Sequence, residues 1–80
     1  MKRIIWTDSA QADVRRLDKP TAMRVFATLH RFAETGEGDV KALKARDELR
    51  LRIADYRLFF VLDSDAIEVR RVLHRSEAYR

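Results

Sequence analysis

The spacing of the apolar residues changes halfway along this chain of 80 residues. In the first half they recur every three or four positions, as Val25, Leu29 and Phe32 do, which is the spacing of one face of an α-helix. In the second half they alternate with charged residues, as in the segment LRLRI at residues 49–53. Since alternation is typical of a strand with one buried face, the sequence predicts an α+β fold.

The first half predicts one strand followed by a helical hairpin. Residues 2–6 are β-branched and aromatic enough to form a strand. Asp8, with Gln11 three residues later, matches a capping box that begins a short helix ending near Leu17. A second helix follows almost at once, so we expect the two to lie antiparallel.

Pro20 is predicted in the first turn of that second helix, which should end before Gly36, because proline suits a first helical turn and glycine follows a last one. Three strands then follow at residues 49–53, 56–62 and 66–73, and the second of them is apolar enough to be central. The predicted fold is a small, mainly antiparallel four-stranded sheet with the helical hairpin on one face.

Length and composition predict a single domain over residues 1–80. With 46% apolar residues, two glycines and one proline, the chain has the composition of a folded domain rather than a disordered tail. The absence of cysteine excludes disulfides and favours a reducing compartment. The opening run of residues 1–5 is too short for a signal peptide or a membrane span. We therefore expect a cytoplasmic protein with no membrane partner.

The charge is concentrated in one segment. The net charge is +4, and residues 41–60 hold six basic and three acidic side chains. The basic members are Lys41, Lys44, Arg46, Arg50, Arg52 and Arg57. This excess indicates a polyanionic partner, with an ordinary solvated surface as the alternative.

The common catalytic motifs are absent. No lysine follows the glycines of residues 36–38 in the way a phosphate-binding loop requires. His30 and His74 lie far apart with no cysteine to complete a zinc site. Ser9, Ser64 and Ser76 lack the glycine setting of a nucleophilic serine. The sequence predicts neither a metal nor a cofactor.

The three C-terminal strands do carry a basic and polar set. If neighbouring strands pair, Arg50, Arg52 and Arg57 meet the segment HRSEAYR of residues 74–80 on one concave surface. Arginines can neutralise a phosphate while a histidine and a tyrosine move protons, which suits phosphoryl chemistry without a metal. RNA is the natural substrate, because its own 2′-hydroxyl can be the nucleophile.

Each of these residues also has a structural interpretation. Arg57 could pair with Asp55 or Asp63, and His74 could simply cap a strand end. Arg50 and Arg52 could be a solvated strand face, and Tyr79 could be part of a frayed tail. The aromatic residues Trp6, Phe59 and Phe60 are expected in the core rather than stacked on bases.

Two motifs resemble those of the RelE/ParE superfamily of bacterial toxins. They are LRLRIADYRLFF at residues 49–60 and VLHRSEAY at residues 72–79. The similarity extends to the N-terminal strand, both helices and the segment KALK before the basic strand. It implies a RelE-like toxin domain of a type II toxin–antitoxin system. The family often has glycine where this chain has Ala45 and Ala54, which suggests a local adjustment of two turns.

The resemblance implies a ribosome-dependent mRNA endoribonuclease that cuts the codon in the ribosomal A site. Arg57 would stabilise the phosphate in the transition state. His74 and Tyr79 would supply base and acid, in an order left open, and Arg75 would add charge beside them. The positions expected to bind RNA are Lys44, Arg46, Arg50 and Arg52.

The resemblance also implies partners. A cognate antitoxin would wrap and block the toxin, the ribosome and mRNA would be its targets, and DNA would be reached only through the antitoxin. ParE-type toxins of the superfamily inhibit gyrase and have no RNase site, and an inactive antitoxin-binding homologue is a third interpretation. The complete ending with His74, Arg75 and Tyr79 favours the nuclease.

Overall fold

The computed structural model describes residues 1–44 and 47–78, which form a five-stranded sheet with two helices packed on one face. The elements in chain order are β1 (Arg3–Trp6), α1 (Asp8–Arg15), α2 (Lys19–Thr35), β2 (Val40–Ala42), β3 (Leu49–Ile53), β4 (Tyr56–Leu62) and β5 (Ala66–His74). Across the sheet the strands run β1-β5-β4-β3-β2. Only the pair of β1 with β5 is parallel among the described pairs, so the predicted α+β class and the mainly antiparallel sheet are confirmed.

The strand count differs from the four that the sequence predicted. The additional strand is β2, which pairs antiparallel with β3 through Val40 opposite Leu51 and Ala42 opposite Leu49. With three residues at the sheet edge, two of them exposed, β2 is too short to show an alternating pattern.

The start of α1 lies one residue before the predicted one. The N-cap is Thr7, whose Oγ1 accepts a hydrogen bond from the N–H of Ala10 at 3.1 Å. Asp8 lies instead in the first turn, where a negative charge is favourable near the helix N-terminus. The predicted capping box is therefore wrong, and the side chain of Gln11 donates to the carbonyl of Trp6. The helix ends at Arg15, two residues earlier than expected.

The prediction for α2 is confirmed at both ends. Pro20 lies in its first turn, and Gly36 ends it in the left-handed conformation at φ 77°, donating to the carbonyl of Phe32 at 2.8 Å. A buried stripe of Val25, Leu29 and Ala33 faces the sheet. Neither helix in the described part of the chain is long and apolar enough to cross a membrane.

The core lies between the helices and the sheet, and β4 is the middle strand. Leu58 and Phe60 are fully buried on the helix side, where Phe60 meets the ring of Phe32 edge to face at 5.3 Å. Phe59 points to the other face and is still only 5% exposed. The prediction of a central strand covered on both faces is confirmed, and so is the core position of Phe59 and Phe60.

A β-bulge in β5 fixes which side chains leave the core. Phe59 lies opposite Arg71 and Phe60 opposite Val69, so Arg70 is the additional residue. Val69 and Val72 are both buried on the helix side. The two arginines between them therefore both leave that side.

Candidate nucleic-acid interface

The face of the sheet turned away from the helices carries the arginines of the basic segment. Because Leu51 and Ile53 are buried against the helices, Arg50 and Arg52 project from the other side of β3. The register places Arg52 opposite Arg57, which brings Arg57 to the same side. We call this surface the arginine face, and its basic residues are Lys41, Arg50, Arg52, Arg57 and Arg71.

The direct opposition of Arg52 and Arg57 does not stabilise the sheet, because like charges opposite one another destabilise a strand pair. Arg52 lies 4.0 Å from the carboxylate of Asp39, but both side chains are more than half exposed. Exposed pairs of this kind contribute little to stability. The opposition of Arg52 and Arg57 is therefore better explained by binding of an anion than by stability of the sheet.

The main chain orients the guanidinium of Arg57. Its Nη1 donates to the carbonyl of Ala54 at 3.0 Å and to that of Tyr56 at 2.9 Å. The two carboxylates that the sequence suggested as partners of Arg57 contact other groups. Asp55 lies 3.9 Å from Arg75, and Asp63 accepts hydrogen bonds from the main chain of the β4–β5 turn.

The charge is unevenly distributed over this side of the sheet. Toward the β4–β5 turn, Arg70 donates to Glu68 at 2.8 Å and lies 3.9 Å from Glu48, so its charge is compensated. The arginine face lies beyond these acidic residues, from the level of Arg50 and Arg71 to the β3–β4 turn. An incoming polyanion is therefore attracted to the β3–β4 turn end of the sheet and not to all of it.

His74 does not join the arginine face. It lies opposite Tyr56 in the register, one position from Arg57, and neighbouring residues of a strand point to opposite sides. The Tyr56 ring packs against the core and meets the His74 ring edge to face at 5.3 Å. The surface that was expected to unite His74 with the arginines is therefore not formed.

His74 organises the turn that follows β5. Its Nδ1 lies 2.9 Å from the hydroxyl of Ser76 and accepts from the Ser76 N–H at 3.2 Å. Its carbonyl accepts from the N–H groups of Glu77 and Ala78. The N–H of Arg75 donates to the carbonyl of Asp55, which ties this turn to the β3–β4 turn at 2.7 Å.

The remaining expected site residues have varied positions. Lys44 is exposed in the turn after β2, and Arg75 is exposed beside Asp55. Arg46 and Tyr79 lie outside the residues that the structure describes.

Asp13 is a buried charged residue that the sequence analysis missed. Its carboxylate is 2% exposed and accepts hydrogen bonds from Arg71 at 2.8 and 3.1 Å, from the Val72 N–H at 2.9 Å and from Arg16 at 3.1 Å. Burial acts to raise the pKa of Asp13, but these hydrogen bonds outweigh it and hold the pKa below its ordinary value. The sequence signal that could have identified Asp13 as buried is its position three residues after Ala10, on the apolar side of α1.

Comparison with known proteins identifies the family. The profile of the ParE toxin of the type II toxin–antitoxin system parDE matches residues 4–79, and the chain belongs to this family. No curated protein matches the sequence.

Solved structures share the fold. The structure of the RelB–RelE antitoxin–toxin complex from Methanococcus jannaschii matches with a TM-score of 0.77 and 21% identity, over 94% of each chain. The archaeal RelE–RelB complex from Pyrococcus horikoshii OT3 matches with a TM-score of 0.79 and 19% identity, over 96% of this chain and 98% of that one. The YoeB–YefM complex from Staphylococcus aureus matches with a TM-score of 0.75 and 18% identity, over 92% and 97%.

Proposed function

We propose that this toxin inhibits translation as a metal-independent endoribonuclease that cuts messenger RNA in the ribosomal A site. The observation that supports this proposal best is the arginine face, where Arg52 and Arg57 lie opposite one another with Arg50 on the same side. A phosphodiester chain would neutralise the charges of Arg52 and Arg57, of which only Arg52 has a carboxylate within 4.0 Å among residues 1–44 and 47–78.

The reaction needs no nucleophile from the protein. The 2′-oxygen of the RNA attacks the adjacent phosphorus, and the bond from phosphorus to the 5′-oxygen breaks. A base takes the proton of the 2′-hydroxyl, and an acid gives a proton to the departing 5′-oxygen. The products are a 2′,3′-cyclic phosphate and a free 5′-hydroxyl, and Arg57 stabilises the charge of the intermediate phosphorane.

Flanking phosphates are bound by Arg50 and Arg52, with Lys44 and Arg46 extending the surface along the chain. Each contact of this kind contributes to affinity without reading sequence. In this proposal the ribosome presents the codon, and the arginine face receives its backbone.

The residues of the C-terminal motif have different roles in this proposal. Because His74 lies on the helix side of the sheet, we give it the task of positioning the turn at residues 75–78, through Nδ1 and its carbonyl. Proton transfer then falls to Tyr79, which follows that turn in the sequence. Its phenolate takes the proton of the 2′-hydroxyl, the resulting phenol gives a proton to the departing 5′-oxygen, and Arg75 adds charge beside it.

The proposed protein partner is a cognate antitoxin. The related RelE and YoeB toxins were solved as complexes with RelB and YefM. In this chain an apolar depression of about 260 Å³ opens between β1 and the helices, lined mainly by Trp6, Val14 and Phe26. Met23 on α2 is 58% exposed. An amphipathic antitoxin helix would cover such a surface.

A second candidate function is inhibition of gyrase without RNA cleavage. It is favoured by one observation, which is that neither histidine of the chain lies on the arginine face. A ParE-type inhibitor needs no general base there.

A translating extract distinguishes the two candidates. The purified toxin is expected to stop protein synthesis and to leave gyrase supercoiling unchanged. Arg57→Gln should lose most of the inhibition, whereas the control Arg31→Gln, an exposed α2 arginine with the same charge change, should keep it. Inhibited supercoiling with intact translation would overturn the endoribonuclease proposal in favour of gyrase.

A further inference from the structure

Three basic residues, Lys41, Arg50 and Arg71, lie in a row across the arginine face at right angles to the strands, with Phe59 between Arg50 and Arg71. The register pairs Lys41 with Arg50, Arg50 with Phe59, and Phe59 with Arg71, from β2 through β3 and β4 to β5. Three strand spacings of about 4.8 Å make this row about 14 Å long. An extended polyanion that binds along this row crosses the sheet at right angles to the strands.

The row ends at a group of arginines on α1. An open depression of about 490 Å³ lies beside β5 and is lined by Arg15, Arg16 and Arg71 together with Ser9, Ala12 and Asp13. Three guanidinium groups and one carboxylate line it, which leaves a net charge of +2.

Asp13 gives this group a fixed geometry. Its buried carboxylate binds both Arg71 and Arg16, while the side chains of these arginines remain 45% and 72% exposed. Arg71 uses Nε and Nη2 for the two bonds, so its guanidinium plane is held in place. Arg15 has no acidic side chain within ion-pair distance among residues 1–44 and 47–78. A preorganised guanidinium loses less entropy when it binds a phosphate.

We propose that Arg15, Arg16 and Arg71 form a second phosphate subsite, which binds the RNA strand beyond the arginine face. The identity of the polymer as RNA rests on the proposed function. The subsite lies beside the part of β5 beyond Val69, where the pairing with β1 has ended, whereas Lys41 is on β2 at the opposite edge of the sheet. The RNA strand therefore runs across β3, β4 and β5 to α1, with Arg57 beside its path.

The structural alternative is that Arg15 and Arg16 only stabilise the C-terminus of α1. Arg15 lies in the last turn of α1, and basic residues there stabilise a helix through its dipole. Such a role predicts a change in thermal stability and no change in RNA binding. The two interpretations therefore separate in a binding measurement.

The test measures binding of a fluorescent 2′-O-methyl oligouridylate, which cannot be cut because it lacks the nucleophile. Affinity is measured against salt concentration for the wild type, for Arg15→Gln with Arg16→Gln, and for a control pair, Arg24→Gln with Arg31→Gln on α2. For single strands each phosphate contact contributes about 0.7 to the slope of log affinity against log salt. The α1 pair should therefore reduce the slope by about 1.4 and the control pair should leave it unchanged.

The outcomes are distinct. An α1 pair that binds like the control pair, or that loses antitoxin binding while RNA binding stays the same, overturns the subsite. Absence of RNA binding by the wild type overturns it as well. If the wild type binds with the expected slopes but cuts no message in a translating extract, the subsite stands and the endoribonuclease proposal fails.

Discussion

The carboxylate of Asp13 in α1 accepts the hydrogen bond from the Val72 N–H of β5 that a neighbouring strand would otherwise accept. The parallel pairing of β1 with β5 ends at Trp6 and Val69, and the chain then turns into α1. The N–H of Val72 is left at the edge of the sheet, and the Asp13 carboxylate accepts it at 2.9 Å. One buried carboxylate thus joins the helix to the strand edge where β1 no longer reaches.

Removing the charge of Asp13 should destabilise the fold strongly. Asp13→Asn removes the ionised acceptor of Arg71, whose side chain is 45% exposed, and loss of a hydrogen bond to a charged group typically costs about 1.5–3 kcal/mol. Arg16→Gln should cost less than about 1 kcal/mol, because the Arg16 side chain is 72% exposed. Urea unfolding of both variants measures the difference, and equal losses would show that Asp13 is not the centre of this network.

Because of the Asp13 carboxylate, the protein should lose stability in acid. The pKa of Asp13 is lower in the folded chain than its ordinary value of 3.8, so the unfolded chain binds the proton more readily. The stabilisation is complete well above pH 3.8 and is lost as the pH falls through the folded pKa. Asp63 also has a lowered pKa, from hydrogen bonds with the N–H groups of Asp65 and Ala66.

The contribution of Asp13 is therefore obtained from the difference between wild type and Asp13→Asn across the acid range. That difference should shrink as the pH falls. A difference that stays constant would contradict the account of this residue.

The fold was more predictable than the site. Helical spacing placed Val25 and Leu29 on a buried stripe, and alternation placed Leu51 and Ile53 against the helices. These patterns are local, and each extends over enough residues to be recognised. The three residues of β2 are too few for any pattern, and only pairing with β3 makes them a strand.

The candidate site was predictable only in part, for the same physical reason. Alternation along β3 put Arg50 and Arg52 on one side, and a hairpin brought Arg57 to it. The side of His74 depends on the register of β5 against β4, and a bulge at Arg70 shifts that register. Two successive arginines, Arg70 and Arg71, interrupt the alternation of β5, but only the pairing with β4 shows that the interruption is a bulge, so the position of His74 required the structure.

The β3–β4 turn should gain stability from glycine at Ala54. Ala54 has φ 53°, in the left-handed region that disfavours side chains by about 1–2 kcal/mol. Part of this gain is offset by the greater flexibility of glycine in the unfolded chain, so Ala54→Gly should add about 0.5–1 kcal/mol. Gly36→Ala is the reverse control at φ 77° and should destabilise. Thermal unfolding compares them, and a less stable Ala54→Gly would contradict the expected strain.

His74 should act through the turn that it holds and not through contact with RNA. His74→Ala removes the acceptor of the Ser76 N–H, so it should slow message cleavage while affinity for the 2′-O-methyl oligouridylate stays unchanged. His30→Ala, which changes an exposed histidine on α2, should alter neither quantity. A loss of affinity in His74→Ala would place the imidazole at the RNA after all.

Mapping of message ends in a translating extract tests the central claim most directly. Purified toxin is added with and without ribosomes, and primer extension locates the 5′ ends that it creates. The account predicts cuts within codons in the ribosomal A site, absent without ribosomes and lost in Arg57→Gln. Intact message in the presence of ribosomes, with growth still arrested by the toxin in cells, would contradict it.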